Sequence, residues 1–142
     1  MQDARHYSTG AAAVIVTAQL RSMNKLQLSG TRPEDLLVSL AALPGCGLGH
    51  DILVDYGFTP GEIIATVDQH LLETPNVRAL RYGNVMQAAA DFAARNERLE
   101  IASEDILFGL TCSYGVIRIC LRQYSLTSQA LIRHLASLQP IT

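Results

Sequence analysis

Cysteine is scarce and odd in number. There are three, Cys46, Cys112 and Cys120, and no CxxC among them. That excludes a disulfide scaffold and fits a reducing, cytoplasmic setting. Cys112 and Cys120 stand among apolar neighbours and are expected as small core residues. Basic charge is not in excess either: 11 Lys and Arg face 13 Asp and Glu, a net charge of −2 with a pI near 6.0. This lacks the electrostatic footprint of a nucleic-acid binder. No apolar run approaches the ~18 residues of a membrane span. The polar start, Met1 to His6, lacks the layout of a signal peptide.

Chemical signatures are missing as well. No GxxxxGK[ST] cradle is present, so the chain has no P-loop with which to hydrolyse ATP. There is no GxSxG elbow and no cysteine in a recognised catalytic context. Cys46 and His50 lie four apart, but no second pair completes a zinc set with them. Gly45, Gly47 and Gly49 follow a helical segment rather than a strand, so they read as a flexible connector and not a phosphate loop. We therefore expect no catalytic residues, no metal, no cofactor and no enzyme.

What is present is a folded, apolar chain. Hydrophobic residues make up 49% and charged residues 17% of 142 positions, enough for one domain over residues 1–142 with a core of its own. Its content is said twice. Arg32-Pro33-Glu34-Asp35-Leu36-Leu37 is echoed by Ala102-Ser103-Glu104-Asp105-Ile106-Leu107, and Tyr56-Gly57-Phe58-Thr59 by Tyr124-Ser125-Leu126-Thr127. Recurrence in the same order at about 70 residues marks a duplicated unit. Repeat one covers about residues 7–72, a linker 73–76 and repeat two about 77–138.

Each unit reads as four helices. A long Ala-rich helix is expected from Thr9 to Asn24 and again from Val77 to Asn96. Leu-rich helices follow from Glu34 to Leu43 and from Glu104 to Cys112, their apolar residues recurring at i+3 and i+4. A third pair runs from Asp51 to Tyr56 and from Val116 to Tyr124, and a fourth from Gly61 to Leu72 and from Ser128 to Leu138. Ser8 or Thr9, Thr31, Thr59, Ser103 and Thr127 are the expected caps. The Ala-rich helices allow close approach and are placed near the centre. No segment alternates with a period of two. The expectation is an all-α, eight-helix bundle of two four-helix repeats about a pseudo-twofold axis.

The doubled block, with Pro33-Glu34-Asp35 and Ser103-Glu104-Asp105 each opening a Leu-rich helix after an Ala-rich one, resembles the Clp repeat. That repeat builds the N-terminal domain of ClpA- and ClpC-type AAA+ unfoldases. The resemblance implies a module that docks adaptors and protein substrates. It also implies a ligand-facing role for Glu34 and Glu104, the residues that meet phosphoarginine in some members. Where the family has His, both copies here have Asp35 and Asp105, and added carboxylates disfavour a phosphate.

Glu34, Asp35, Glu104 and Asp105 also serve helix-start electrostatics, whatever else they do. Arg78 and Arg81 open the second long helix beside Tyr82, and exposed Arg and Tyr suit a binding surface. Arg118 and Arg122 form a second such pair. The function expected is a non-enzymatic protein- or peptide-binding module: an adaptor, accessory or decoy factor in a Clp protease system. Its partners would be Clp ATPase or peptidase components, their substrates, or peptide-like small molecules, with the module a monomer or weak dimer. Two alternatives stay open: the excised substrate-receptor domain of a full-length Clp ATPase, and a small-molecule sensor using the groove between repeats.

Overall fold

The computed structural model describes residues 6–26, 31–73, 80–113 and 116–138. Among them run eight α-helices in the expected order: α1 (Thr9–Leu26), α2 (Pro33–Ala42), α3 (Leu48–Asp55), α4 (Pro60–Glu73), α5 (Leu80–Arg95), α6 (Ser103–Thr111), α7 (Val116–Arg122) and α8 (Ser128–Leu138). The architecture is all-α. A single 3₁₀ turn, Pro44–Cys46, links α2 to α3.

The Leu-rich helices hold the centre. From Pro33 to Ala41 every residue of α2 is buried, and Ile106 to Thr111 are buried in α6. Such all-round apolar helices have no face to offer water and must be enclosed. The Ala-rich helices flank them, contrary to their expected central place. In α1, Ala11, Val14 and Ala18 face inward while Ala12, Ala13, Val16 and Leu20 are exposed. The most extensive packing is α5 on α6 and α1 on α2. Several contacts between repeats come in exchanged pairs, α1 with α6 and α5 with α2, α3 with α6 and α7 with α2, as a pseudo-twofold axis requires, whereas the packing of α4 on α7 has no equal between α8 and α3.

Close approach is bought with glycine. A Cβ on Gly109 of α6 would lie 2.3 Å from the Val85 carbonyl oxygen of α5, and one on Gly49 of α3 would lie 2.7 Å from the Ser103 carbonyl oxygen of α6. Of the glycines read as a flexible connector, Gly45 and Gly47 are exposed and Gly49 sits at a tightly packed crossing. The crossing is also capped across the repeats: the Gly49 amide donates to Ser103 Oγ at 2.9 Å. Ser103 therefore caps α3 rather than its own helix. The start of α6 is closed instead by Asp105, whose Oδ2 accepts the Ala102 amide at 2.8 Å.

Other caps are local. Ser8 accepts from Ala11 at 3.1 Å, Thr59 from Glu62 at 3.3 Å and Thr127 from Ala130 at 3.1 Å. Thr31 is not the cap of α2; Arg32 holds that position, without a side-chain cap. A two-residue parallel ladder, β1 (His6–Tyr7) with β2 (Glu100–Ile101), joins the approach to α1 to the approach to α6. Packing of α1 on α6 lays these approaches side by side, and two residues are too few to show a period. Cys46 and Cys120 are buried but Cys112, expected in the core, is exposed at the end of α6. All three are free thiols.

These crossings give opposite expectations for two alanine substitutions. Gly109→Ala should lower the urea unfolding free energy by about 2–3 kcal/mol, because backbone must shift to admit the methyl. Gly83→Ala, on the exposed side of α5 with nothing within 4 Å of the added Cβ, should raise it by about 0.5–1 kcal/mol. Equal effects would contradict the α5–α6 crossing.

Candidate functional site

Each Leu-rich helix carries a buried carboxylate at its third position, and the two are neutralised differently. In α2, Asp35 Oδ1 accepts Arg21 Nε at 2.8 Å, while Oδ2 accepts Arg32 Nε and Ser22 Oγ, both at 2.6 Å. Arg32 and Asp35 have no exposed side-chain surface. The Arg32 amide donates to Ser22 Oγ at 3.0 Å. Arg21 reaches on to Asp68 of α4, so this one carboxylate ties α1, α2 and α4 together. Arg32 Nη1 and Nη2 are buried without a hydrogen bond.

In α6 the cation comes from a loop. Arg98, between α5 and β2, donates to Asp105 and, at 3.3 Å, to Glu104 Oε2. Burial pushes the Asp105 carboxyl up to about 6, against the opposing pull of the Ala102 amide and of Arg98. Asp35 and Asp105 are thus enclosed anchors, and their expected helix-start role is joined to an ion pair in each repeat.

Glu34 and Glu104 are not equivalent. Glu34 is fully buried in α2. Glu104 borders an open groove of about 720 Å³ formed where α8 and the end of α5 face the start of α3. Its walls include Leu48, Phe92, Ile132, Leu135 and Leu138, and its polar rim is Arg95, Asn96, Arg98 and Glu104. Leu48, Ile132 and Leu138 are 38, 46 and 50% exposed, so three of the large apolar side chains left facing water meet at this one place. Phe92 and Phe108 stack with centroids 4.0 Å apart, and the Arg95 guanidinium lies 5.9 and 5.8 Å from their centres. Leu48 comes from the first repeat and the rest of the lining from the second, so the groove lies on the seam between them.

The rim holds two guanidiniums, an amide and a carboxylate already bound to Arg98, which suits recognition rather than a nucleophile with its base. Among the described residues, no three His, Cys, Asp or Glu side chains gather as a metal site. Arg78 lies outside the described residues. Arg81 is on α5, but its side chain is outside them. Sequence reasoning left a groove between the repeats open but missed Arg95 and Arg98, which form its rim. It also missed Arg21, Ser22 and Arg32, although the i, i+3 spacing of Arg32 and Asp35 was a readable signal. A smaller pocket of about 340 Å³ lies beside Arg118 and Arg122, with Thr111, Thr127 and Ser128.

Solved structures share this fold at low sequence identity. One, from preliminary structural investigations of a malarial protein secretion system, aligns with a TM-score of 0.76 and 14% identity over 92% of each chain. Another is the N-terminal domain of the caseinolytic-protease-associated chaperone ClpD of Arabidopsis thaliana, with a TM-score of 0.64 and 17% identity over 92% of this chain and 95% of that one. No family model and no curated protein matches the sequence. The chain thus has the fold of the Clp N-terminal domain, as the doubled motif implied.

Two outcomes test the buried carboxylates. Asp35→Ala should cost about 3–5 kcal/mol of unfolding free energy, because it leaves Arg32 buried without its anion; a loss under about 1 kcal/mol in urea titration would contradict the network. For Asp105, the folded state keeps its proton up to about 6 while the unfolded state releases it near 3.8. Stability from this group is present below the lower value and falls as pH rises through that window, then stays level. Asp105→Asn should remove this descending segment from a urea stability–pH curve, and a carboxyl ¹³C titration of Asp105 near pH 4 would sink the assignment.

Proposed function

We propose that the chain is a non-enzymatic docking module that presents its seam groove to protein or peptide segments, as an adaptor, accessory or decoy factor in a Clp-type protease system. The observation that carries this is the groove itself. Leu48, Ile132 and Leu138 are large apolar side chains left exposed together around a concave surface, and a soluble protein rarely keeps such a surface without a partner. An apolar floor with a few polar groups at the rim is the usual make-up of a recognition site. The likeness to the ClpD N-terminal domain supports the Clp context. Partners of this kind are Clp ATPase or peptidase components or their protein substrates.

The groove lies apart from Glu34 and includes Glu104, so the two repeats do not offer twin ligand sites. Glu104 is bound by Arg98, which occupies the carboxylate that a guanidinium ligand would need. Recognition through the apolar floor is therefore favoured over recognition of phosphoarginine.

Affinity capture from native lysate tests the proposal, with Ile132→Glu as the control that places a charge in the groove. The wild-type chain should recover a Clp-type ATPase, a Clp-type peptidase or a client of either, identified by mass spectrometry, and the variant should lose it. Recovery of the same proteins by both, or of no Clp component by the wild type, counts against it.

A further inference from the structure

The groove's two guanidiniums are not in the same state. Arg98 is committed, donating to Glu104 at 3.3 Å and to the buried Asp105. Arg95 has no carboxylate partner among the described residues. It lies against the stacked Phe92–Phe108 pair, 5.9 and 5.8 Å from the two centroids. A guanidinium held against aromatic rings uses none of its N–H donors in that contact, because the attraction is to the ring. The rings thus help to hold a planar, charged fork at the rim of an apolar floor.

We propose that the groove selects a peptide segment with a bulky apolar side chain next to a carboxylate, and that Arg95 is the residue that reads the carboxylate. This deepens the docking role proposed above and rests on it. The apolar side chain fills the space between Ile132, Leu135 and Leu48. The neighbouring carboxylate meets the Arg95 fork, where two parallel N–H···O bonds are available. The same arrangement works against the opposite charge. A Lys or Arg in that place would meet Arg95 and Arg98 together, and the one carboxylate on the rim, Glu104, is already spent on Arg98. Selection by repulsion therefore accompanies selection by attraction.

Fluorescence anisotropy with labelled peptides separates this inference from the docking role. The probes are Ala-Leu-Phe-Asp-Ala and its counterparts with Asn or Lys in place of Asp. The Asp peptide should bind about five- to tenfold more tightly than the Asn peptide, and the Lys peptide more weakly than either. The Asp preference should shrink as salt is raised to about 1 M, where the Debye length falls to about 3 Å. Arg95→Gln should bring the Asp peptide to the affinity of the Asn peptide, and Arg95→Glu should invert the Asp–Lys order. Arg95 is on the surface, so circular dichroism should find both variants folded. Equal binding of all three peptides, still lost in Ile132→Glu, overturns the role of Arg95 and leaves the docking role standing. Binding of none of them to the wild type overturns both.

Discussion

A carboxylate at the head of an apolar helix sets the terms for the rest of this fold. Helices α2 and α6 are enclosed on all sides, so the third residue of each goes into the interior with them, and in both cases it is aspartate. An ionised carboxylate taken out of water costs several kcal/mol unless a cation and hydrogen bonds meet it there. The protein supplies these from whichever neighbour lies nearest. In the first repeat they come from α1 and from the residue capping α2. In the second they come from the connection between α5 and β2 and from a backbone amide. Each solution fixes how its long helix lies against its Leu-rich helix.

The difference between the two solutions has functional consequences. Arg21 and Arg32 close over Asp35 and tie α1 and α4 to α2. Arg98 comes from the open side, so its outer face, together with Glu104, remains at the surface. Both networks reach the surface, the first through Arg21 and Asp68 and the second through Arg98 and Glu104, but only the second borders the groove described above. Burial holds Asp105 partly toward its neutral form, while Asp35 sits among two guanidiniums and a hydroxyl. One duplicated motif thus yields in one copy an anchor that ties α1 and α4 to α2 and, in the other, an anchor whose upper edge borders a groove.

Local signals in the sequence carried most of the architecture. Helical periodicity and Ser8, Thr59 and Thr127 as caps act within a few residues, and those readings hold in the structure. What failed was what depends on neighbours distant in sequence. Ser103 has the residue type and place of a cap for α6, yet its hydroxyl turns to Gly49 because α3 crosses there. Alanine content placed α1 and α5 at the centre, although alanine permits close approach without requiring enclosure, and the leucines of α2 and α6 demand it more strongly. Cys112 has apolar neighbours in sequence but ends its helix at the surface. A groove between the repeats was an open alternative, but its lining could not be read, since Leu48, Phe92 and Ile132 share no local pattern. Only packing brings them together.

Why the groove forms on this side of the axis follows from comparing the fourth helices. Aligned on Thr59 and Thr127, Ile63 pairs with Leu131, Ile64 with Ile132 and Val67 with Leu135. The inner position is satisfied in both, since Ile63 and Leu131 are buried. The others diverge. Val67 is fully buried while Leu135 is only partly so, and Ile64 is half-buried while Ile132 is exposed. Helix α4 packs extensively on α2 and on α7, whereas α8 touches α6 much less. A short fourth helix with a strongly one-sided apolar face is therefore left with part of that face unmatched. The apolar surface that this leaves in water is a standing cost at about 25 cal/mol per Å², and covering it is a gain open to any segment that fits. The departure from symmetry, rather than the repeated motif itself, is what leaves the apolar face of α8 open at the groove.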